Sequence, residues 1–158
     1  MNLDATISVE RIFISPGHNF FGHHGQAAGE HGVKSVEAVE CVAGMGLRGD
    51  RFFGYKEDYK GQVTFFAAEV YEAVCGELGV RDRGPSVFRR NVLTRGIDLE
   101  TLIGKEFEVQ GVVFSGTGES SPCHWMDDAF GPGAEAALKG RGGLRARIVA
   151  GGWLRLTV

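Results

Sequence analysis

The sequence predicts a mainly β fold with some α (α+β), its strands forming a β-barrel with a few flanking helices. Three observations predict it. Glycine supplies 25 of the 158 residues, far above an average usage of roughly 7%, and is scattered without a collagen-like period, as tight turns and close backbone approaches require. Apolar runs are short, rich in β-branched and aromatic residues, and broken by glycine or proline, which is the punctuation of strands. Sustained helical spacing is confined to one segment, and many short strands avoid open edges by closing on themselves. A chain of this length fills one hydrophobic core and is short for two, so residues 1–158 read as a single domain.

The elements follow in order. "ISVERIFISP", residues 7–16, is a β-branched run stopped by proline and reads as a strand. "GHNFFGHHGQAAGEHG" carries four of the five histidines, His18, His23, His24 and His31, with no period of either kind, and reads as a loop. In "GVKSVEAVECVAG" the valines recur every third residue as on a helix, yet β-branched content and flanking glycines favour a strand. "GQVTFF" continues as a strand into "AAEVYEAVCGELG", where Val70, Val74 and Leu78 step by four and Gly79 ends the helix. Cys75 lies beside that apolar stripe and reads as a packing residue. "RNVLTRG" is a short strand, and "IDLETLIG" a helical turn capped by Asp98. "KEFEVQGVVFSG" is two strand pieces with a bulge or hairpin at Gly111. "GAEAALKG" is a short helix, and "LRARIVAGGWLRLTV" closes the chain with strands on either side of Gly151 and Gly152.

Bulk charge excludes some functions. A net charge of −3 offers no global basic field for nucleic acid or an acidic membrane. Arginines do crowd "RDRGPSVFRR" and "KGRGGLRAR", and such clusters suit a small anionic ligand, although a single arginine there is more commonly solvated. No run approaches the about 18 apolar residues of a membrane span. Three widely spaced cysteines, Cys41, Cys75 and Cys123, without a secretory leader do not make a disulfide framework. The expected location is a reducing cytoplasm, where an exposed thiol stays reduced.

Two motifs are weighed before the cysteine. "GMGLRG" matches G-x-G-x-x-G, but the following "DRFFGYKEDYKG" has no helical face to receive a pyrophosphate, so these glycines are expected to make a tight connection before Asp50 and Arg51. Asp50 is expected to pair with an arginine and lock that turn. The four clustered histidines resemble a ligand set for zinc or another borderline metal, without the spacing of a known finger; the alternative is a polar loop at a pocket mouth.

Taken together, "GLRGDRFFG", Glu69 early in the helix, "FRRNVLTRG", "SSPCHW" and "GRGGLRARIVAGG" resemble the MOSC domain, named for the C-terminal region of molybdenum cofactor sulfurases. The resemblance runs from about residue 12 to the end, so nearly the whole chain is similar to a stand-alone MOSC protein. It implies a β-barrel with flanking helices and the handling of molybdenum cofactor (molybdopterin). It further implies that Cys123 either ligates molybdenum or carries sulfur as a persulfide, and that the protein is either a reductase of N-hydroxylated compounds or a sulfur-transfer protein. A cysteine desulfurase or a separate redox partner would then be needed, since neither pyridoxal phosphate machinery nor a redox domain is identified in the sequence. The remaining alternatives are a non-catalytic barrel that binds pterin or an anion, and a metal-binding protein built on the histidine loop.

The residue types suit that chemistry. Pro122 cannot extend a strand, so Cys123 is expected on a loop. The thiolate is both nucleophile and metal ligand, and nearby positive charge from Arg89, Arg90, Arg95 and His124 would favour it. Soft sulfur matches molybdenum already bound by dithiolene sulfur. Arginine forks grip phosphate, which makes Arg51, Arg89, Arg90, Arg95, Arg141 and Arg145 candidates for the anion, with Asn91 and Thr94 for pterin edges. Glu119 is either a proton carrier beside Cys123 or a strand-end surface carboxylate. Trp125 covers a ligand or packs.

Overall fold

A computed structural model of the protein describes residues 7–16 and 32–157. The histidine segment, with His18, His23, His24 and His31, lies outside the described residues. The strands are β1 (Ser8–Ile14), β2 (Lys34–Val36), β3 (Ala38–Val42), β4 (Gly46–Leu47), β5 (Val63–Ala67), β6 (Val92–Arg95), β7 (Glu106–Val109), β8 (Val112–Glu119), β9 (Leu144–Ala150) and β10 (Gly152–Arg155). The helices are α1 (Ala68–Leu78), α2 (Trp125–Ala129) and α3 (Ala134–Leu138), with 3-10 turns at Pro85–Phe88 and Leu99–Leu102. The ambiguous valine run is indeed extended, as β2 and β3. Gly79 ends α1 in the left-handed conformation, and Asp98 caps the second 3-10 turn by accepting from Glu100 N–H. After "GMGLRG" the chain passes through turns with no helix, so the glycine pattern is not a dinucleotide site.

Seven strands form one sheet in the order β2-β1-β6-β5-β9-β8-β7, and three form another in the order β10-β3-β4. Among the described strands only β5 and β6 pair in parallel, and α1 belongs to the crossover that such a pair requires. The expected barrel closure is corrected here: the sheets are separate hydrogen-bonded units that wrap one shared core. Val9, Phe65, Phe114 and Ile148 from the larger sheet meet Val39, Leu47 and Leu154 from the smaller. At Gly151 the chain leaves β9 for β10, so close to β3 that a side chain there would strike Cys41 O at 2.6 Å. Bulged register in β8 bends the larger sheet around the same core. At the other end, Thr157 N–H donates to Val9 O at 2.8 Å and Val9 N–H to Thr157 Oγ1 at 2.9 Å, tying the sheets without a continuous ladder.

Strand alternation creates a second core. Phe65 faces the space between the sheets, so its neighbour Phe66 faces the opposite side, where it joins Val74, Phe88, Met126, Phe130 and Leu138. That cluster clamps α1, α2 and α3 onto the outer face. Because α2 starts at Trp125, burial of Met126 and Phe130 also fixes the chain just after Cys123. Among the described residues no helix is long and apolar enough to cross a membrane.

Candidate functional site

β8 ends at Glu119, and residues 120–124 turn into α2 past Pro122. Cys123 is half-buried on this connection and lines a cavity of about 440 Å³, a size suited to a small-molecule or cofactor site. The other thiols have different surroundings. Cys41 is sealed in the main core, where burial pushes its thiol up to about 12, and Cys75 packs against the helical cluster.

Four arginines share the cavity with Cys123: Arg51, Arg89, Arg90 and Arg145. Arg51 is placed by Asp50, whose Oδ1 receives Arg51 Nη1 at 3.2 Å and Ser15 N–H at 3.0 Å while Oδ2 receives Phe52 N–H at 3.3 Å. Asp50 therefore locks the turn as expected. Arg51 Nη2 donates to Arg89 O at 3.1 Å, and its guanidinium lies 4.9 Å from the Phe52 ring centre. Burial lowers the Arg51 pKa, opposed by Asp50. Removing this buried carboxylate strands a buried guanidinium and two amides, so Asp50→Ala is expected to cost about 3 kcal/mol, measured by urea unfolding.

Arg89 and Arg90 are adjacent yet diverge, because Arg89 sits at φ 57° and turns the chain. A non-glycine residue in that region costs on the order of 1 kcal/mol. Arg89 Nη2 reaches Ser15 Oγ at 2.7 Å. Arg90 goes the other way, with Nε on Gly142 O and Nη2 on Ser120 O, both at 2.8 Å. Burial pulls both guanidinium groups down to about 10; the Arg51 charge adds to this at Arg89, whereas Cys123 is the main opposing influence at Arg90. Both stay charged at neutral pH. Arg145 Nε is buried with no hydrogen-bond partner among the described residues.

Glu119 and His124 also line the cavity. Glu119 Oε2 accepts Gly142 N–H at 3.2 Å, and the His124 ring packs 4.8 Å from that of Trp125. Four guanidiniums against Glu119 and the committed Asp50 leave this cavity net positive in a net negative chain. Such a site attracts an anion.

The structure does not bring every sequence candidate here. Asn91 is buried as a cross-tie, accepting Thr64 N–H at 3.0 Å and donating to Phe13 O at 3.1 Å. Thr94 is buried in β6 with Oγ1 on Phe66 O. Each residue along β6 adds about 3.3 Å, so Thr94 and Arg95 lie progressively farther from the Asn91 end. Arg95 is clamped between Glu10 and Glu72, and Arg141 pairs with Glu77 and lines a separate cavity of about 570 Å³. Arg95→Ala is accordingly expected to leave the labelling rate of Cys123 unchanged, followed by mass spectrometry. Sequence reasoning missed Phe52 and Tyr59, which stack at 5.4 Å and form one wall. Their signal was the aromatic spacing in "RFFGYKEDYKG". Among the described residues no group of three or more His, Cys, Asp or Glu side chains could hold a metal ion.

A family model of the MOSC domain matches residues 22–156. No curated protein matches the chain. Solved structures with this fold include the YuaD protein of Bacillus subtilis, 18% identical over 95% of this chain and 91% of that one, with a TM-score of 0.70. YiiM of Geobacillus stearothermophilus is 12% identical over 95% of this chain and 71% of its own, with a TM-score of 0.68. YiiM of Escherichia coli is 16% identical over 94% of this chain, which spans 64% of it, with a TM-score of 0.61. At such identities these likenesses concern the fold alone.

Proposed function

The chain belongs to the MOSC domain family, and on that premise we propose that it acts as a single such domain that binds molybdenum cofactor, with Cys123 as a sulfur ligand to the metal. The observation that carries this reading is a half-buried thiol on a cavity it shares with four guanidiniums. The donor set fits the group: a soft sulfur suits molybdenum, and arginine forks suit a phosphate. Arg145 Nε, without a partner among the described residues, supports the same conclusion, because a buried donor without an acceptor is costly unless a ligand satisfies it.

When bound, the cofactor would supply a metal centre able to exchange electrons and oxygen with a substrate such as an N-hydroxylated compound. The chain's own contribution is binding and charge. Arg145 and Arg89 would grip the phosphate, with Arg51 held beside them by Asp50. Cys123 would donate its sulfur to the metal from the loop that places it on the cavity wall. Glu119 lines the same cavity, with Oε2 held by Gly142 N–H. Phe52 and Tyr59 would exclude water from one side.

Expression in cells that make the cofactor, with added molybdate, tests this. Molybdenum and acid-released pterin are expected at about one each per chain, as one site implies. Absence of both, while a known molybdoenzyme loads in the same cells, would overturn the reading. Labelled sulfur passing from a cysteine desulfurase to Cys123 without molybdenum would replace it with the sulfur-carrier role.

A further inference from the structure

Arg90 is unlike its neighbours in that its four hydrogen bonds among the described residues all go to backbone carbonyls. Nε donates to Gly142 O at 2.8 Å, Nη2 to Ser120 O at 2.8 Å and Ser121 O at 3.3 Å, and Nη1 to Phe88 O at 3.2 Å. These acceptors belong to three segments distant in sequence: the turn before β6, the loop that carries Cys123, and the glycine pair that enters β9. One planar fork spans all three. It can do so because the segments nearly touch: a side chain on Gly142 would collide with Ser120 O, and one on Gly143 with Phe65 O.

Two features separate this arrangement from an ordinary buried ion pair. Among the described residues no carboxylate hydrogen-bonds to Arg90, so none of them fixes its charge. Its acceptors Ser120 and Ser121 also precede Cys123 by only three and two residues, on a stretch where Ser120 N–H to Gly143 O at 2.8 Å and Met126 N–H to Cys123 O at 3.0 Å are the flanking backbone ties. The guanidinium therefore holds the approach to the thiol from the side opposite α2. A lysine keeps the charge but presents it at one point and cannot bridge Gly142 and Ser120 together.

We propose that Arg90 is a positioning residue for Cys123, clasping the cysteine loop to the Gly142 turn before β9 so that the thiol is held at the cavity wall. The role rests on Cys123 being the reactive group of the site. It gives Arg90 a different task from Arg145, whose Nε has no hydrogen-bond partner among the described residues.

Amide hydrogen exchange on the unloaded full chain, compared across wild type, Arg90→Lys and Arg90→Met, tests it together with molybdenum content after expression in cofactor-making cells. Losing a charge-assisted bond should speed exchange of residues 120–126 by about tenfold or more in both variants. Residues 63–67 and 68–78 should keep their wild-type rates. Molybdenum per chain should fall by about fivefold or more in Arg90→Lys, as loss of an outer support for a ligand does. Wild-type exchange in residues 120–126, or full metal content restored by lysine, would overturn the clasp. Should the variants not fold, wild-type protein decides by side-chain NMR: Arg90 Nε–H should exchange about tenfold slower than the exposed Arg48 Nε–H, and equal rates would overturn the proposal. If wild type binds no molybdenum, the cofactor reading fails by itself, while the exchange results still decide what Arg90 does.

Discussion

Cys123→Ala is expected to reduce molybdenum in protein from cofactor-making cells by at least about tenfold, since even outer-shell changes cost 10–100-fold in metal affinity and this one removes a ligand. The argument is local. Arg89, Arg90 and Arg145 remain and still attract the anionic part of the cofactor, but among the described residues no other thiol lines this cavity, and the Met126 thioether there is a neutral donor packed into the helical cluster. Pterin should therefore fall less than metal. Cys75→Ser is the matched control. Cys75 packs against the helical cluster and does not line the cavity, so its replacement should leave metal content unchanged.

Gly142→Val is expected to destabilise the fold by about 4 kcal/mol, combining overpacking with the loss of charge-assisted hydrogen bonds. The added Cβ would overlap Ser120 O and lie 3.0 Å from Pro122 Cδ. Backbone cannot rotate away as a side-chain tip can, so the two segments must part. Parting breaks Arg90 Nε to Gly142 O, Arg90 Nη2 to Ser120 O and Ser120 N–H to Gly143 O together. Urea unfolding gives the stability, and exchange at residues 120–126 shows whether the damage is centred on the cysteine loop. Gly76→Ala should have the opposite sign. Gly76 is in α1 with open space at its Cβ position, so alanine should stabilise by roughly 0.5–1 kcal/mol through helix propensity.

Much of the fold was legible because local chemistry and tertiary structure agree. Alternation across Phe65 and Phe66, the stop at Gly79 and the cap at Asp98 each follow from a few adjacent residues. Helix α2 was not legible: five residues are too few to display a period, and it is held by Met126 and Phe130 packing on Phe66 and Phe88. Barrel closure was overestimated because strand count says nothing of which edges meet. The candidate site was only partly legible for a related reason. Composition shows that arginines are abundant, but their destinations depend on long-range partners, so Arg95 is taken by Glu10 and Glu72 and Arg141 by Glu77. Asn91 and Thr94 look like ligand-binding polar residues in the chain and are cross-ties in the fold. The divergence of Arg89 and Arg90 depends on one positive φ at Arg89, which no neighbouring glycine or asparagine announces.

Thiol labelling with iodoacetamide in the loaded and unloaded protein, located by mass spectrometry, tests the central claim most directly. In the unloaded protein Cys123 should label readily while Cys41, sealed in the core with its thiol pushed up to about 12, stays unmodified until urea is added. Loading with molybdenum cofactor should slow labelling of Cys123 by about tenfold or more, because a bonded thiolate is no longer a free nucleophile. Equal labelling of Cys123 in both states, or no labelling in the unloaded state, would contradict the account.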